Sequence, residues 1–287
     1  MSEPILLWND LVMEEGKAAP SVTPYLLPGD APRPAVLVIP GGGYGGVCHS
    51  TEGKPIAEAF NRRGLHAFVL HYRTAPHAFP APLADAVRAM RLIRGRASEW
   101  RVLPREIAAC GFSAGGHLAG ALGIYSEEAA GAAAGGAYEE VDPRPDALIL
   151  SYPVVSFAPW SNTTTARNFC GGIPTQADIA RFSLEKRVSD KTPPVFLWHT
   201  VRDQIVDYHN SVVLAEAMAK AGRPCELHLF PYGDHGMLEG LDTADVSAWP
   251  DLAVDFLRTC RASAETGFRE RYTNAYQAAA QRRRQEA

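Results

Sequence analysis

Ile107-Ala108-Ala109-Cys110-Gly111-Phe112-Ser113-Ala114-Gly115-Gly116-His117-Leu118-Ala119 is the stretch from which the rest of this chain is read. Four apolar residues lead into Gly111, a helix-compatible run follows Ser113, and positions 111–115 spell G-x-S-x-G. A strand that turns sharply into a helix leaves the serine between them in a strained backbone conformation, and the glycines remove side chains that would collide at the bend. The Ser113 hydroxyl then projects from the carboxyl edge of a sheet, with a helix amino terminus behind it that favours developing negative charge. Five residues of pattern in a chain with 25 glycines also fit a Gly-rich structural turn. The reading therefore stands on the flanking strand and helix and on the partners found further along.

The same rhythm continues outward in both directions. Apolar β-type runs at 35–39, 66–72, 107–110, 147–151, 195–199 and 226–230 alternate with helix-like segments, which predicts an α/β class with a mostly parallel sheet covered on both faces. Runs at 5–8 and 22–27 add antiparallel strands at the leading edge. Apolar residues three and four apart predict helices over 83–93 and 211–221, the second with Ser211 as its cap and Gly222 as its stop, and 248–260 makes a last helix. Two segments break the rhythm. The small-residue tract 129–136 has little to bury and reads as a flexible loop. Residues 156–193 form an interval of unusual length, rich in polar and aromatic residues, and are expected to be a lid or a substrate-contacting insertion. The expected organisation is one domain over 1–265, followed by a polar tail over 266–287 that is either helical or disordered and leaves a homo-oligomer open.

Composition excludes several classes of function. Lys and Arg total 28 against 32 Asp and Glu, so the positive footprint of a nucleic-acid binder is missing. Apolar runs stop far short of the roughly 20 residues a membrane helix needs. Five cysteines, odd in number and never spaced as CxxC, argue against a disulfide framework and against a zinc site. With no basic stretch followed by a long apolar run at residues 1–5, the expected location is the cytoplasm.

A serine hydroxyl is a weak nucleophile until a base takes its proton, so Ser113 needs a histidine and an orienting carboxylate. For an elbow of this kind the order along the chain is Ser, then Asp or Glu, then His. His235 lies just after the last expected strand, within the turn-rich Phe230-Pro231-Tyr232-Gly233-Asp234-His235-Gly236, where the base belongs. His117, four residues after Ser113, reads as a buried structural histidine or a supporting donor, and His199, at the end of its own strand, as a residue lining the site. For the acid, Asp203 falls in the first turn beyond 195–199; Asp207 is the alternative, and Asp234 ranks last because sequence neighbours rarely face one another. Pro40-Gly41-Gly42-Gly43-Tyr44 follows the strand at 35–39, where consecutive glycines let backbone N–H groups converge on an oxyanion. Gly42, Gly43 and Ala114 are the candidate donors. No phosphate-loop spacing of glycines is present there, so a nucleotide loop is the weaker reading.

These residues, with Glu52-Gly53, Tyr72-Arg73, Pro82-Leu83-Ala84-Asp85 and Asp234-His235-Gly236, make the chain similar to serine esterases of the α/β-hydrolase superfamily, near the hormone-sensitive-lipase-like enzymes. It resembles more closely the carbohydrate acetyl esterases that include bifunctional feruloyl and acetyl xylan esterases, from about residue 36 to residue 256. The resemblance implies Ser113 as nucleophile, His235 as general base, Asp203 as its partner, and the backbone of Gly42, Gly43 and Ala114 as the oxyanion hole. Pro40 stands where many lipases have histidine, which argues against the lipase branch without harming a hole built from backbone. The implied activity is removal of a short acyl group, acetyl first, from a sugar or xylo-oligosaccharide without a cofactor or a metal. The expected partner is this small ester substrate. Tyr44, Trp160 and Phe169 are the aromatics available to stack on a sugar ring, with core or lid packing as the equal alternative for each. Two other functions remain open: hydrolysis of another acyl substrate, an arylformamide or a short peptide, and a non-catalytic binding module on the same scaffold.

Overall fold

Alternation within single strands decides which side of the sheet each residue serves. In the strand Arg33–Ile39, Leu37 and Ile39 join one apolar cluster and Val36 and Val38 join another on the opposite face, and all four are fully buried. The computed structural model describes residues 3–8, 11, 13, 18–125, 128, 130–131, 133–158 and 163–266. Within them the strands are β1 (Ile5–Leu6), β2 (Ser21–Tyr25), β3 (Arg33–Ile39), β4 (His66–His71), β5 (Val102–Phe112), β6 (Ala147–Ser151), β7 (Val195–Thr200) and β8 (Cys225–Phe230). They form one sheet in the order β1-β2-β4-β3-β5-β6-β7-β8. The first two are antiparallel, as expected from the leading edge of the sequence, and the other pairings are parallel.

The helices are α1 (His49–Glu52), α2 (Lys54–Arg62), α3 (Ala81–Gly95), α4 (Ala97–Trp100), α5 (Ala114–Ile124), α6 (Thr163–Cys170), α7 (Gln176–Phe182), α8 (His209–Lys220) and α9 (Trp249–Thr266). One face of the sheet carries α3, α5 and α8 through Val87, Met90, Leu118, Leu122 and Leu214; the other carries α2 and α9 through Phe60, Trp249 and Phe256. Full burial of such side chains contributes about 1.5–3 kcal/mol each. This is the α/β-hydrolase fold. Among the described residues, no helix is long and apolar enough to cross a membrane.

Several expectations need correction. Strand β5 begins five residues early, because Val102 pairs with Arg33 across an irregular register while Pro104 and Arg105 stay exposed. Ser211 does not cap α8. It lies inside the helix, fully buried, and the Asp207 carboxylate instead accepts the His209 N–H at 2.8 Å where the helix begins. Gly222 does end that helix, with φ +64°. In the small-residue tract, Ala130 and Gly131 are helical and Ala133 is fully buried. Arginines of α3 tie the tract down, Arg88 donating to the Ala134 carbonyl at 3.1 Å.

The interval 156–193 mixes exposed residues with buried ones: Phe169, Phe182, Ser183 and Leu184 join the core, and the Leu184 N–H reaches the Val155 carbonyl at 3.0 Å. Trp160 and the tail from residue 267 lie outside the described residues.

Candidate active site

Four strand ends deliver the candidate residues to one edge of the sheet. Between β5 and α5, Ser113 has φ 54° and ψ −119°, the strained bend that the surrounding glycines permit. A Cβ on Gly111 would stand 2.1 Å from the Gly115 carbonyl oxygen, and one on Gly115 would stand 2.1 Å from that of Ile39. Neither position tolerates a side chain. Hydrogen bonds fix the bend, with the Ser113 N–H donating to Ser151 O at 3.0 Å and Ser113 O accepting the Val154 N–H at 3.0 Å.

The loop after β8 turns at Gly233 (φ +121°) and Gly236 (φ +78°) and brings His235 over the bend. Its Nε2 lies 2.9 Å from Ser113 Oγ, and its Nδ1 lies 2.7 Å from Asp203 Oδ2. Asp203, beyond β7, is anchored in turn: Oδ1 accepts the N–H groups of Ile205 and Val206 at 2.8 Å each. Burial pushes the Asp203 carboxyl up, but hydrogen bonds from His199 and His235, the His235 charge and the Val206 N–H outweigh it and hold the group well below the usual carboxylate range. A carboxylate at Asp203 orients the proton-bearing Nδ1 of His235 toward itself, the arrangement that leaves Nε2 facing the serine hydroxyl.

Beyond β3, Gly42 (φ +127°), Gly43 (φ +63°) and Tyr44 (φ +55°) turn the chain past Ser113. Gly42 O accepts the Gly45 N–H at 3.0 Å and Gly43 O accepts from Asn168 Nδ2 at 2.9 Å. The N–H groups of Gly42 and Gly43 have no acceptor among the described residues. Ala114 opens α5, where the first N–H has no partner within its helix. Free donors in the loop that leaves Gly41, which itself packs against Ser113, and a histidine hydrogen-bonded to that serine are parts that acyl transfer requires.

The BD-FAE family model matches residues 25–218. The chain belongs to this family. It is 36% identical over 247 residues to "Endo-1,4-beta-xylanase B" of Butyrivibrio fibrisolvens, covering 85% of this chain and 38% of that protein. It is 32% identical over 215 residues to "Acetylxylan esterase" of Xylanibacter ruminicola, covering 73% of this chain and 42% of the relative. The chain thus spans about two fifths of the length of these curated relatives. Among solved structures, an acetyl ester-xyloside bifunctional hydrolase from Caldicellulosiruptor lactoaceticus superposes with a TM-score of 0.82 at 36% identity, covering 93% of this chain and 97% of that one.

In this BD-FAE chain Ser113, His235 and Asp203 are hydrogen-bonded in series, and Gly41, immediately before Gly42 and Gly43, packs against the serine bend. Asp207 is spent on α8, accepting both the N–H and the ring of His209, and does not reach His235. Tyr44 and Phe169 take the core-packing alternative, and the site-lining reading of His199 requires correction. Tyr44 is fully buried, its hydroxyl 2.9 Å from His117 Nδ1, and Phe169 is fully buried against it, so neither offers a face to a sugar. His199 is also fully buried. Its Nε2 lies 2.9 Å from Val206 O and 3.3 Å from Asp203 Oδ2, so it supports the acid rather than lining the site.

His117 behaves as read, buried between Tyr44 and the Phe182 carbonyl, and burial pushes its imidazole down to about 4.

Sequence reasoning assigned no role to Glu52 or Tyr152 of this BD-FAE chain. Glu52 is buried, and its carboxylate accepts the Gly41 N–H at 2.6 Å and the Tyr152 hydroxyl at 2.9 Å. Burial pushes this carboxyl up, while the two donors and the nearby His235 draw it down, with a net rise. The available signal was Glu52-Gly53, nine residues beyond Gly43, which entered the sequence analysis only as part of the family resemblance.

Proposed function

We propose that this chain is a serine carboxylic-ester hydrolase that removes a short acyl group, acetyl, from a sugar or xylo-oligosaccharide. The observation that carries the reading is the unbroken series from Ser113 Oγ through His235 to the anchored Asp203 carboxylate. Ser113 attacks the ester carbonyl as His235 Nε2 takes its proton, and the imidazolium that forms is stabilised by Asp203. The N–H groups of Gly42, Gly43 and Ala114 receive the negative charge on the former carbonyl oxygen; loss of one such donor costs about 3 kcal/mol of transition-state stabilisation. His235 then protonates the departing sugar oxygen, and a water molecule activated by the same ring hydrolyses the acyl enzyme. The sugar ester is preferred because the names of the acetylxylan esterase and of the acetyl ester-xyloside hydrolase point the same way. A cytoplasmic site of action is supported by the five cysteines, all free thiols, as a reducing compartment keeps them.

The test is initial rates on acetylated xylose, 4-nitrophenyl acetate, butyrate and octanoate, a feruloyl ester and an arylformamide. Release of acetate from the sugar is expected to lead the panel, and Ser113→Ala is expected to lower kcat by about 10⁴ or more with the fold intact. Undiminished turnover by that variant removes the nucleophile assignment. A preference for the arylformamide replaces the ester by an amide, and failure to turn over any member turns the reading toward a binding module.

A further inference from the structure

Glu52 touches both halves of the site without facing the substrate. Burying a carboxylate is costly unless donors meet its oxygens, and each oxygen here has one: the Gly41 N–H on Oε2 and the Tyr152 hydroxyl on Oε1. The Gly41 carbonyl accepts the Cys48 N–H at 2.9 Å, so residues 48–52 grip the N–H and the carbonyl of Gly41 together. On its other side Gly41 is wedged against the serine bend, where an added Cβ would stand 2.7 Å from Phe112 O and 3.0 Å from Ser113 Cβ. The next two residues are Gly42 and Gly43. Tyr152, just past β6, donates its N–H to Trp198 O at 2.8 Å, and its ring stands edge-on to that of His235 with centroids 4.9 Å apart.

We infer that Glu52 is a positioning residue: through Gly41 it holds the Gly42 and Gly43 N–H groups where the oxyanion forms, and through Tyr152 it fixes the ring against which His235 rests. The inference rests on the proposed role of Ser113. A segment carrying Gly41, Gly42, Gly43, Gly45 and Gly46 has wide backbone freedom by itself. Donors act on a transition state only when they are already aimed, so an anchor for this loop bears on rate more than on substrate binding.

The experiment compares the parent with Glu52→Asp, Glu52→Gln, Tyr152→Phe and Ser113→Ala. It reads kcat and KM on 4-nitrophenyl acetate, the thermal midpoint, and the rate at which diethyl 4-nitrophenyl phosphate modifies the serine. In that reaction Ser113 Oγ bonds to phosphorus, 4-nitrophenolate leaves with the bonding pair, and the serine proton passes to His235. Glu52→Asp keeps the charge but withdraws it from Gly41, and is expected to lower kcat and the phosphorylation rate about 10–100-fold with KM within about threefold. Glu52→Gln keeps the reach to Gly41 and is expected to retain at least about tenfold more activity than Glu52→Asp, while Tyr152→Phe falls between them. Parental kcat and phosphorylation rate in folded Glu52→Asp overturn the inference and leave the nucleophile assignment standing. Absence of Ser113-dependent turnover and phosphorylation in the parent overturns both. Should Glu52→Asp fail to fold, Tyr152→Phe carries the test, and parental rates in it overturn the inference.

Discussion

At the residue scale, the two candidate acids differ in what already occupies them. Asp203 meets His235 Nδ1, whereas Asp207 is engaged by His209. Asp203→Asn is therefore expected to lower kcat about 10³–10⁴-fold, and Asp207→Asn no more than severalfold, in steady-state assays of the two purified variants. The reverse order would reassign the acid. His117 gives a second prediction at this scale. Burial depresses its pKa from 6.5 to about 4, so below pH 6.5 the unfolded chain binds a proton that the native chain refuses. Stability is complete above pH 6.5 and declines as the pH falls toward 4, by about 3 kcal/mol from this group at 1.36 kcal/mol per pH unit. Urea unfolding at pH 7 and pH 4.5 is expected to show a smaller acid loss in His117→Gln than in the parent; equal losses would trace the effect to other groups. Ser113, Asp203 and His235 were legible in the sequence because their chemistry demands particular types in a particular order. His199 was misread, and the choice between stacking and packing for Tyr44 was left open, because burial is a property of the packed molecule that neither residue's type declares.

At the scale of elements, close approach at the serine bend makes the glycines there irreplaceable. Gly115→Ala would drive a Cβ against the carbonyl oxygens of Ile39 and Pro40, at 2.1 and 2.4 Å, forcing α5 away from β3. A loss of roughly 2–4 kcal/mol in unfolding free energy is expected, together with a fall in activity as the donors separate. Gly172→Ala, where an added Cβ meets nothing within 4 Å, is expected to stay within about 0.5 kcal/mol of the parent in the same measurement. The six principal parallel strands were legible because each is an apolar run bounded by turn residues. Helices α6 and α7 were hidden in the 156–193 interval, since Phe169 and Phe182 gain their burial from contact with each other, with Phe79 and with Phe157, partners that no local periodicity announces.

At the scale of the whole molecule, the proposed chemistry runs on side chains and backbone donors drawn from the ends of β3, β5, β7 and β8. Dialysis against a chelator is accordingly expected to leave the esterase rate unchanged, and a loss reversed by adding a divalent cation would call for a different mechanism. The parallel sheet was legible from the alternation of runs; the order of its strands was not, because crossover connections are set by how helices pack on each face. Distance along the chain has one more consequence. Ser113 and His235 are 122 residues apart in sequence, and the base arrives only with the loop that follows the last strand. At ribosomal speeds of roughly 5–20 residues per second, Ser113 emerges about 6–24 s ahead of the group that would deprotonate it. A nascent chain of the proposed esterase therefore carries an inert alcohol until β8 and its loop have been made, and the onset of that activity during translation is expected to clock the docking of β8.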